Sequence, residues 1–367
     1  MTLFIPGLDL SARLYSEGVR PVLDRSFPGL VHAAALLDRG SEVLGFDTAQ
    51  SMDHDWGPRL TLFVPEGSLD DLAPRIDAAL GRELPFEIAG ISTHFDELEE
   101  GGKTLRTVAT RPLRHGVRVT SIRGFARAYL GLEIRDDADV RITASDWMAL
   151  PWQRLATLQA GRVHHDGDGQ LSGLRAALAW YPRDVWLHVL ACQWRRIDQH
   201  EPFVGRSGDV GDELGSRLIG VRQVRELMQL LFLIERRFAP YAKWFGSAFS
   251  RLDCAAEMAP LFDAVLRASN WADRETALSA AYLAVGRRFN ARELVESVEL
   301  RIASFHERPY LVPHSGRFVD ALRGAIRDPD VLALPEHVGS LDQFIDSTEV
   351  DDETERFREV GSLFRGR

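Results

Sequence analysis

The chain has 367 residues, more than one ordinary domain of ~100–150 residues requires. At 45% hydrophobic and 27% charged it has the composition of a folded globular protein and not of a disordered chain. Its 44 basic and 54 acidic residues give a net charge of −10, which argues against a broad basic surface for coating nucleic acid or anionic membrane and leaves room for a local basic cleft.

In chain order, Ser11–Leu23 reads as a helix, with Leu14, Val19 and Leu23 as packing positions and Pro21 as an early break. Val31–Leu37 is a short apolar run. Val43–Phe46 and Leu60–Val64 read as buried strands, and Leu69–Leu80 as a helix that Ser68 caps ahead of Asp70 and Asp71. Phe86–Ile91 and Val117–Ile122 are further strand candidates, with the charged loop Glu97–Gly102 between them. Beyond about Asp136 strand signals nearly vanish. Helices are predicted at Val185–Ile197, Ser216–Phe238 (stopped by Pro240), Ala255–Ser269, Asp273–Phe289 and Phe318–Ile326. The expected class is α+β: a mixed sheet with helices in residues 1–135, a mainly helical domain in 136–330, and an acidic tail, 331–367, that wraps back over the body or stays mobile.

The two cysteines, Cys192 and Cys254, lie in apolar helix-like stretches and make neither a zinc site nor a disulfide framework. The longest apolar runs, Leu30–Leu37 and Leu230–Ile234, fall far short of the ~20 residues a bilayer requires, and the start has no signal-peptide pattern. A cytoplasmic location with reduced thiols is the expectation.

The most informative run is Gly40–Trp56, GSEVLGFDTAQSMDHDW. A Gly-Ser turn precedes Asp53-His54-Asp55. On a strand Asp53 and Asp55 would share one face, with His54 on the other. Paired carboxylates repel unless compensated, and hard oxygen donors suit Mg²⁺, which uses one or two carboxylates together with substrate phosphates. The amides near Gly40 and Ser41 would receive those phosphates, because glycine lets a ligand approach the backbone closely. The bland alternative is a solvated turn. Pro58 removes a ladder donor, which predicts an edge or bulged strand after the acids.

This run resembles the signature of the nucleotidyltransferase superfamily, the polymerase-beta-like fold: Gly-Ser, a further Gly, then Ser-Asp-x-Asp. Gly40, Ser41 and Gly45 match in order and spacing, and Ser51, Asp53 and Asp55 supply the rest, with Met52 as an insertion. The chain also resembles an uncharacterised bacterial family with a nucleotidyltransferase-like N-terminal part and a helical C-terminal part, through the runs Glu42–Arg59, Gly211–Leu218, Pro240–Trp244 and Gly339–Thr348. The resemblance implies Mg²⁺ held by Asp53 and Asp55, an NTP substrate (ATP foremost), and transfer of NMP to a hydroxyl with release of pyrophosphate. It further implies a third carboxylate from a neighbouring strand, for which Glu87 is the first candidate and Asp166 the second; the alternative for Glu87 is an exposed strand glutamate. A helical domain would supply a lysine for the triphosphate and an aromatic for the base, and Lys243 and Tyr241 fit by type.

Other residues divide between chemistry and structure. Arg59 would pair with a phosphate or with a surface acid. In Gly205–Arg217, Arg206 or Arg217 would face phosphate and Asp209 or Asp212 a cation or hydroxyl; the alternative is a helix-capping loop with surface ion pairs. His165 and Asp166 raise a metal-dependent phosphohydrolase, although Gly167 and Gly169 favour a loop there. Asp342 and Asp346 share a helical face, where a cation or an arginine would relieve their repulsion. With no basic stripe interleaved with aromatics, the expected acceptor is a small molecule or protein and not a long nucleic acid or a membrane. A catalytically silent nucleotide-binding module is the alternative to the transferase.

Overall fold

A computed structural model of the chain describes residues 4–52, 55–98, 102–134 and 140–364. The fold is α+β, a mixed sheet with helices followed by a mostly helical C-terminal region. The chain forms two compact units that each draw on two segments: Met1–Ile142 with Arg154–Ala179, and Thr143–Gln153 with Trp180–Arg367. Arg154–Ala179, within the stretch expected to be mainly helical, groups with the first unit. Among the described residues no helix is long and apolar enough to cross a membrane.

The first unit contains strands β1 (Ala33–Leu36), β2 (Arg59–Phe63), β3 (Glu87–Ile88), β4 (Ile91–Ser92), β5 (Phe95–Glu97), β6 (Lys103–Leu105), β7 (Gly116–Thr120) and β8 (Arg162–Asp166). A four-stranded sheet has the order β7-β2-β1-β8. β2 pairs in parallel with β7, while β1 is antiparallel to both β2 and β8. β3 with β4 and β5 with β6 form separate two-stranded ladders. The predicted strand Leu60–Val64 corresponds to β2, and its period of two places Leu60, Leu62 and Val64 in one core cluster with Leu14, Val19, Leu23, Ile76 and Leu80 from two helical segments.

Three sequence expectations are corrected. Val43–Phe46 is a turn, and the strand lies instead in the apolar run, as β1. β2 is an inner strand and not an edge; Pro58 stands just before it, where no ladder donor is needed. His164-His165-Asp166 belongs to strand β8, because His165 and Asp166 pair with Ala34 and Ala33 of the buried β1. At the N-terminus the helical chain runs from Gly7 to Ser26 past Pro21, with a π-helical stretch, Leu14–Val19, just before the proline. The wider turn accommodates the missing N–H without breaking the helix.

The second unit is built from helices that include Arg183–His200, Glu213–Ile234, Ala255–Arg267, Trp271–Asn290 and Gly316–Ala325. Trp194 stacks on Phe318 at 4.0 Å, with Phe289 edge-on to both. The long helix ends at Ile234, well before Pro240. Arg236 takes a left-handed φ of 57° there, and the Arg237 N–H donates to the Phe232 carbonyl at 2.9 Å, a Schellman closure. The acidic tail packs: Phe357 and Phe364 are buried, and Gly361 lies against Ala149. Cys192 and Cys254 are both buried, and burial first of all pushes both thiols up to about 12, so neither is a ready nucleophile.

Glycine positions in the first unit give a stability prediction. A Cβ on Gly161 would meet the Leu36 carbonyl and come within 2.8 Å of the Leu37 Cα, both backbone atoms that cannot swing aside. Gly173, in the helix Gln170–Ala177, has nothing within 4 Å of that position. In urea unfolding Gly161→Ala should cost about 1–3 kcal/mol, whereas Gly173→Ala should gain about 0.5–1 kcal/mol. Equal effects of the two changes would contradict this packing.

Candidate functional site

The topology brings three strand ends together. β1 runs antiparallel to β2 and β7, so its C-terminal end, Leu36, meets the starts of β2 at Arg59 and of β7 at Gly116. The turn Asp38–Gly40, together with Lys103 at the start of β6, completes a cleft of ≈ 340 Å³ whose lining residues all belong to the first unit. Its lining carries four basic side chains (Arg39, Arg59, Lys103 and Arg118) and two acidic ones (Asp38 and Asp55). A chain of net charge −10 thus contains a locally basic recess.

Arg59 organises its floor. The Nε atom donates to Glu42 Oε1 at 3.0 Å, Nη1 donates to Asp38 Oδ1 at 3.2 Å, and Nη2 reaches the Arg39 carbonyl. Burial opposes the guanidinium charge, but Glu42 and Asp38 outweigh it and hold the pKa above the ordinary arginine value. Asp38 also pairs with Arg118 Nη2 at 3.0 Å, and Arg118 donates to Thr61 Oγ1 at 3.2 Å, its partner in the β2–β7 register. Gly40 has φ +127°, and a Cβ there would lie 2.6 Å from the Glu42 carboxyl carbon and against the Arg59 guanidinium. Only glycine leaves room for this pairing.

Asp55 lies on the cleft wall, although not on a strand: it precedes β2 and has a left-handed φ of 52°, which aspartate tolerates better than most residues. Its N–H donates to the Lys103 carbonyl at 2.7 Å, and its Oδ1 accepts from the Lys103 N–H at 2.9 Å. The next residue, Trp56, is 2% exposed in the core. Gly57 follows at φ +147°, where a Cβ would collide with Leu105 and Phe95. These contacts fix the acid, and among the described residues its Oδ2 has no hydrogen bond. Asp53 and His54 lie outside the described residues.

The remaining predicted residues are placed as follows. Ser41 is in the turn after Gly40, and its carbonyl accepts from Phe46 N–H at 2.9 Å. Ser51 Oγ accepts from the Thr48 N–H at 3.0 Å. Glu87 is exposed on the β3–β4 ladder and does not line the cleft. Arg206, Arg217, Tyr241 and Lys243 belong to the second unit. There Arg206 lies 5.6 Å over the Phe203 ring, Arg217 pairs with Glu213 at 3.2 Å, and Asp212 caps the following helix by accepting from Gly215 N–H at 2.8 Å. The Tyr241 N–H donates to Gln153 Oε1 at 3.0 Å, and Lys243 Nζ lies 5.2 Å over the Trp244 ring. Among the described residues no group of three or more His, Cys, Asp or Glu gathers to hold a metal, His165 and Asp166 included. His164 instead donates from Nε2 to Ser11 Oγ at 2.9 Å, since the serine proton is used on the Arg59 carbonyl at 2.7 Å.

Sequence reasoning did not single out Asp38, Lys103 or Arg118. Asp38-Arg39 directly before Gly40-Ser41 was the available signal, once β1 is placed in the alanine-rich run. Lys103 and Arg118 reach the cleft only through the strand pairing.

A family model described as a domain of unknown function (DUF4037) matches residues 147–245. No curated protein matches the chain. Among solved structures, the chain is similar to a nucleotidyltransferase-like protein from Exiguobacterium sibiricum 255-15, with a TM-score of 0.31 and 11% identity over 79% of this chain and 82% of that one.

Two measurements check this account of the cleft. Arg59→Gln leaves Glu42 buried opposite a neutral group, and should cost about 3–5 kcal/mol in urea unfolding; a loss below about 1 kcal/mol would contradict the ionic floor. Burial, with Arg162 adding, lowers His164 to about 4 from the model-peptide value of 6.5. Unfolded chains therefore bind the extra proton as pH falls through that window, and stability drops between about pH 6.5 and 4. In His164→Gln that drop should shrink by roughly 2 kcal/mol; an identical pH dependence would contradict the assignment.

Proposed function

We propose that the first unit binds a nucleoside triphosphate in this cleft and transfers its NMP group to a hydroxyl of a small molecule or protein. The observation that carries the reading is the basic recess itself: Arg39, Lys103 and Arg118 beside a glycine turn, with Asp55 on the same wall. Polyphosphate charge is matched by these cations, and Arg118, braced by Asp38 and Thr61, presents a planar donor set suited to phosphate oxygens. Gly40 keeps side-chain bulk off the turn, so that phosphate oxygens approach the backbone.

The donor chemistry on this wall fits Mg²⁺. Among the described residues Asp55 keeps one carboxylate oxygen without a hydrogen bond, and one or two carboxylates plus substrate phosphates satisfy this ion's usual demand. Asp55, with Asp53, would hold it, and it would supply charge neutralisation on the phosphates. In the transfer the acceptor oxygen forms a bond to the α-phosphorus as the bond to pyrophosphate breaks, and the acceptor proton passes to a carboxylate or to water. The chain's own part is to fix Asp55 through Lys103 and Trp56 and to hold the leaving phosphates with Lys103 and Arg118.

The test is incubation with ATP, GTP, CTP and UTP and Mg²⁺ across a panel of hydroxyl acceptors, scoring bound nucleotide and released pyrophosphate. Asp55→Asn should lower turnover at least ~10²-fold, and Arg118→Ala should weaken nucleotide binding about tenfold, ~1.4 kcal/mol. Unchanged turnover in Asp55→Asn removes that residue from the mechanism. Binding without pyrophosphate release across the panel points to the silent nucleotide-binding module instead.

A further inference from the structure

The second unit contains a cavity of ≈ 380 Å³, within the size range of small-ligand sites, that the transferase reading does not use. Three aromatic side chains form part of its wall: Trp152, which is 1% exposed, Tyr241 and Phe245. The Trp152 ring is held by donation from Nε1 to the Tyr181 hydroxyl at 2.8 Å, and the Tyr241 backbone is pinned to Gln153. The aromatic surface is therefore preorganised.

The polar lining is acidic. Asp342, Asp346, Glu349 and Asp351 face the space, against a single cation, Arg225. Arg225 is committed to Asp346 at 3.1 Å, with its guanidinium 5.9 Å from the Phe245 ring centre. This internal cation already uses the cavity's combination of carboxylate and aromatic face. Half-buried Asp342 has one oxygen accepting from the Trp152 N–H at 2.9 Å, and no Lys, Arg or His among the described residues lies within ion-pair distance of it. Burial, reinforced by Asp351, pushes its carboxyl well above the usual carboxylate range, the state that a bound cation would relieve. Gln229 supplies an independent sign of a ligand. It lines the cavity and is only 4% exposed, and its side-chain amide has no hydrogen-bond partner among the described residues.

We propose that this cavity binds a small organic cation, an ammonium or guanidinium compound with an apolar body, whose charged group pairs with Asp342 and hydrogen-bonds Gln229 while its body lies against Trp152 and Tyr241. Cation–aromatic attraction adds to the ion pair in such a site. Inorganic phosphate and nucleotides do not fit a lining of this sign.

The test is calorimetric titration of the full chain with benzylamine, cationic at neutral pH, and with benzyl alcohol, its uncharged counterpart. Benzylamine should bind saturably and at least tenfold more tightly than the alcohol. Asp342→Asn keeps an acceptor for the Trp152 N–H and should lose at least tenfold of that affinity; Tyr241→Ala, which keeps the backbone bond to Gln153, should also weaken it. No saturable binding, equal binding of the two compounds, or undiminished benzylamine affinity in Asp342→Asn would overturn the proposal. Should Asp342→Asn fail to fold, the indole ¹H–¹⁵N resonance of Trp152 in the unsubstituted protein decides: a saturable shift with benzylamine supports the site, and no shift overturns it.

Discussion

A guanidinium withdrawn from solvent and tied to two carboxylates is the constraint on which the first unit's cleft depends. Arg59 stands at the start of β2, while Asp38 and Glu42 flank the turn that leaves β1. Desolvating three charged groups is unfavourable unless their mutual geometry is good, and here each partner reinforces the others. The bridge fixes the turn at Gly40 against the β2 strand, and Asp38 hands the constraint on to Arg118 of β7. A disturbed Arg59 would therefore loosen the whole cationic rim and not merely one contact.

That role decides between the two readings of Arg59. Its guanidinium is engaged by protein oxygens, so its part is to position its neighbours. Lys103 and Arg118 are the cations that the proposed anionic ligand would meet, and Lys103 also holds Asp55 through its backbone. An acid and a base are thus fixed by one pair of hydrogen bonds across neighbouring chain segments. The covalent spacing of Asp53, His54 and Asp55 alone does not convey this, because Gly57 and Pro58 delay strand pairing until Arg59.

The legible parts of the sequence were those in which local pattern and burial agree. The apolar run Leu60–Val64 announces a buried strand, and Asp70 and Asp71 behind Ser68 announce a helix start; both elements stand where the pattern puts them. Ala33–Leu36 was harder, because alanine has weak strand preference. Once that strand was missed, Val43–Phe46 attracted the assignment, although Gly40 and Gly45, both at positive φ, make it a turn. Of the Gly-Ser and Asp-His-Asp runs, Gly40 and Asp55 line the cleft. Lys103 and Arg118 arrive by tertiary pairing across long separations in sequence, and no local pattern marks them.

The central claim is that the β1–β2–β7 cleft is where a polyphosphate binds. Hydrogen-exchange mass spectrometry with and without Mg²⁺ and ATP tests it most directly. Slowed exchange concentrated in residues 38–45, 102–105 and 116–120 is the predicted footprint. Protection confined to other segments, or none at saturating nucleotide, would contradict it.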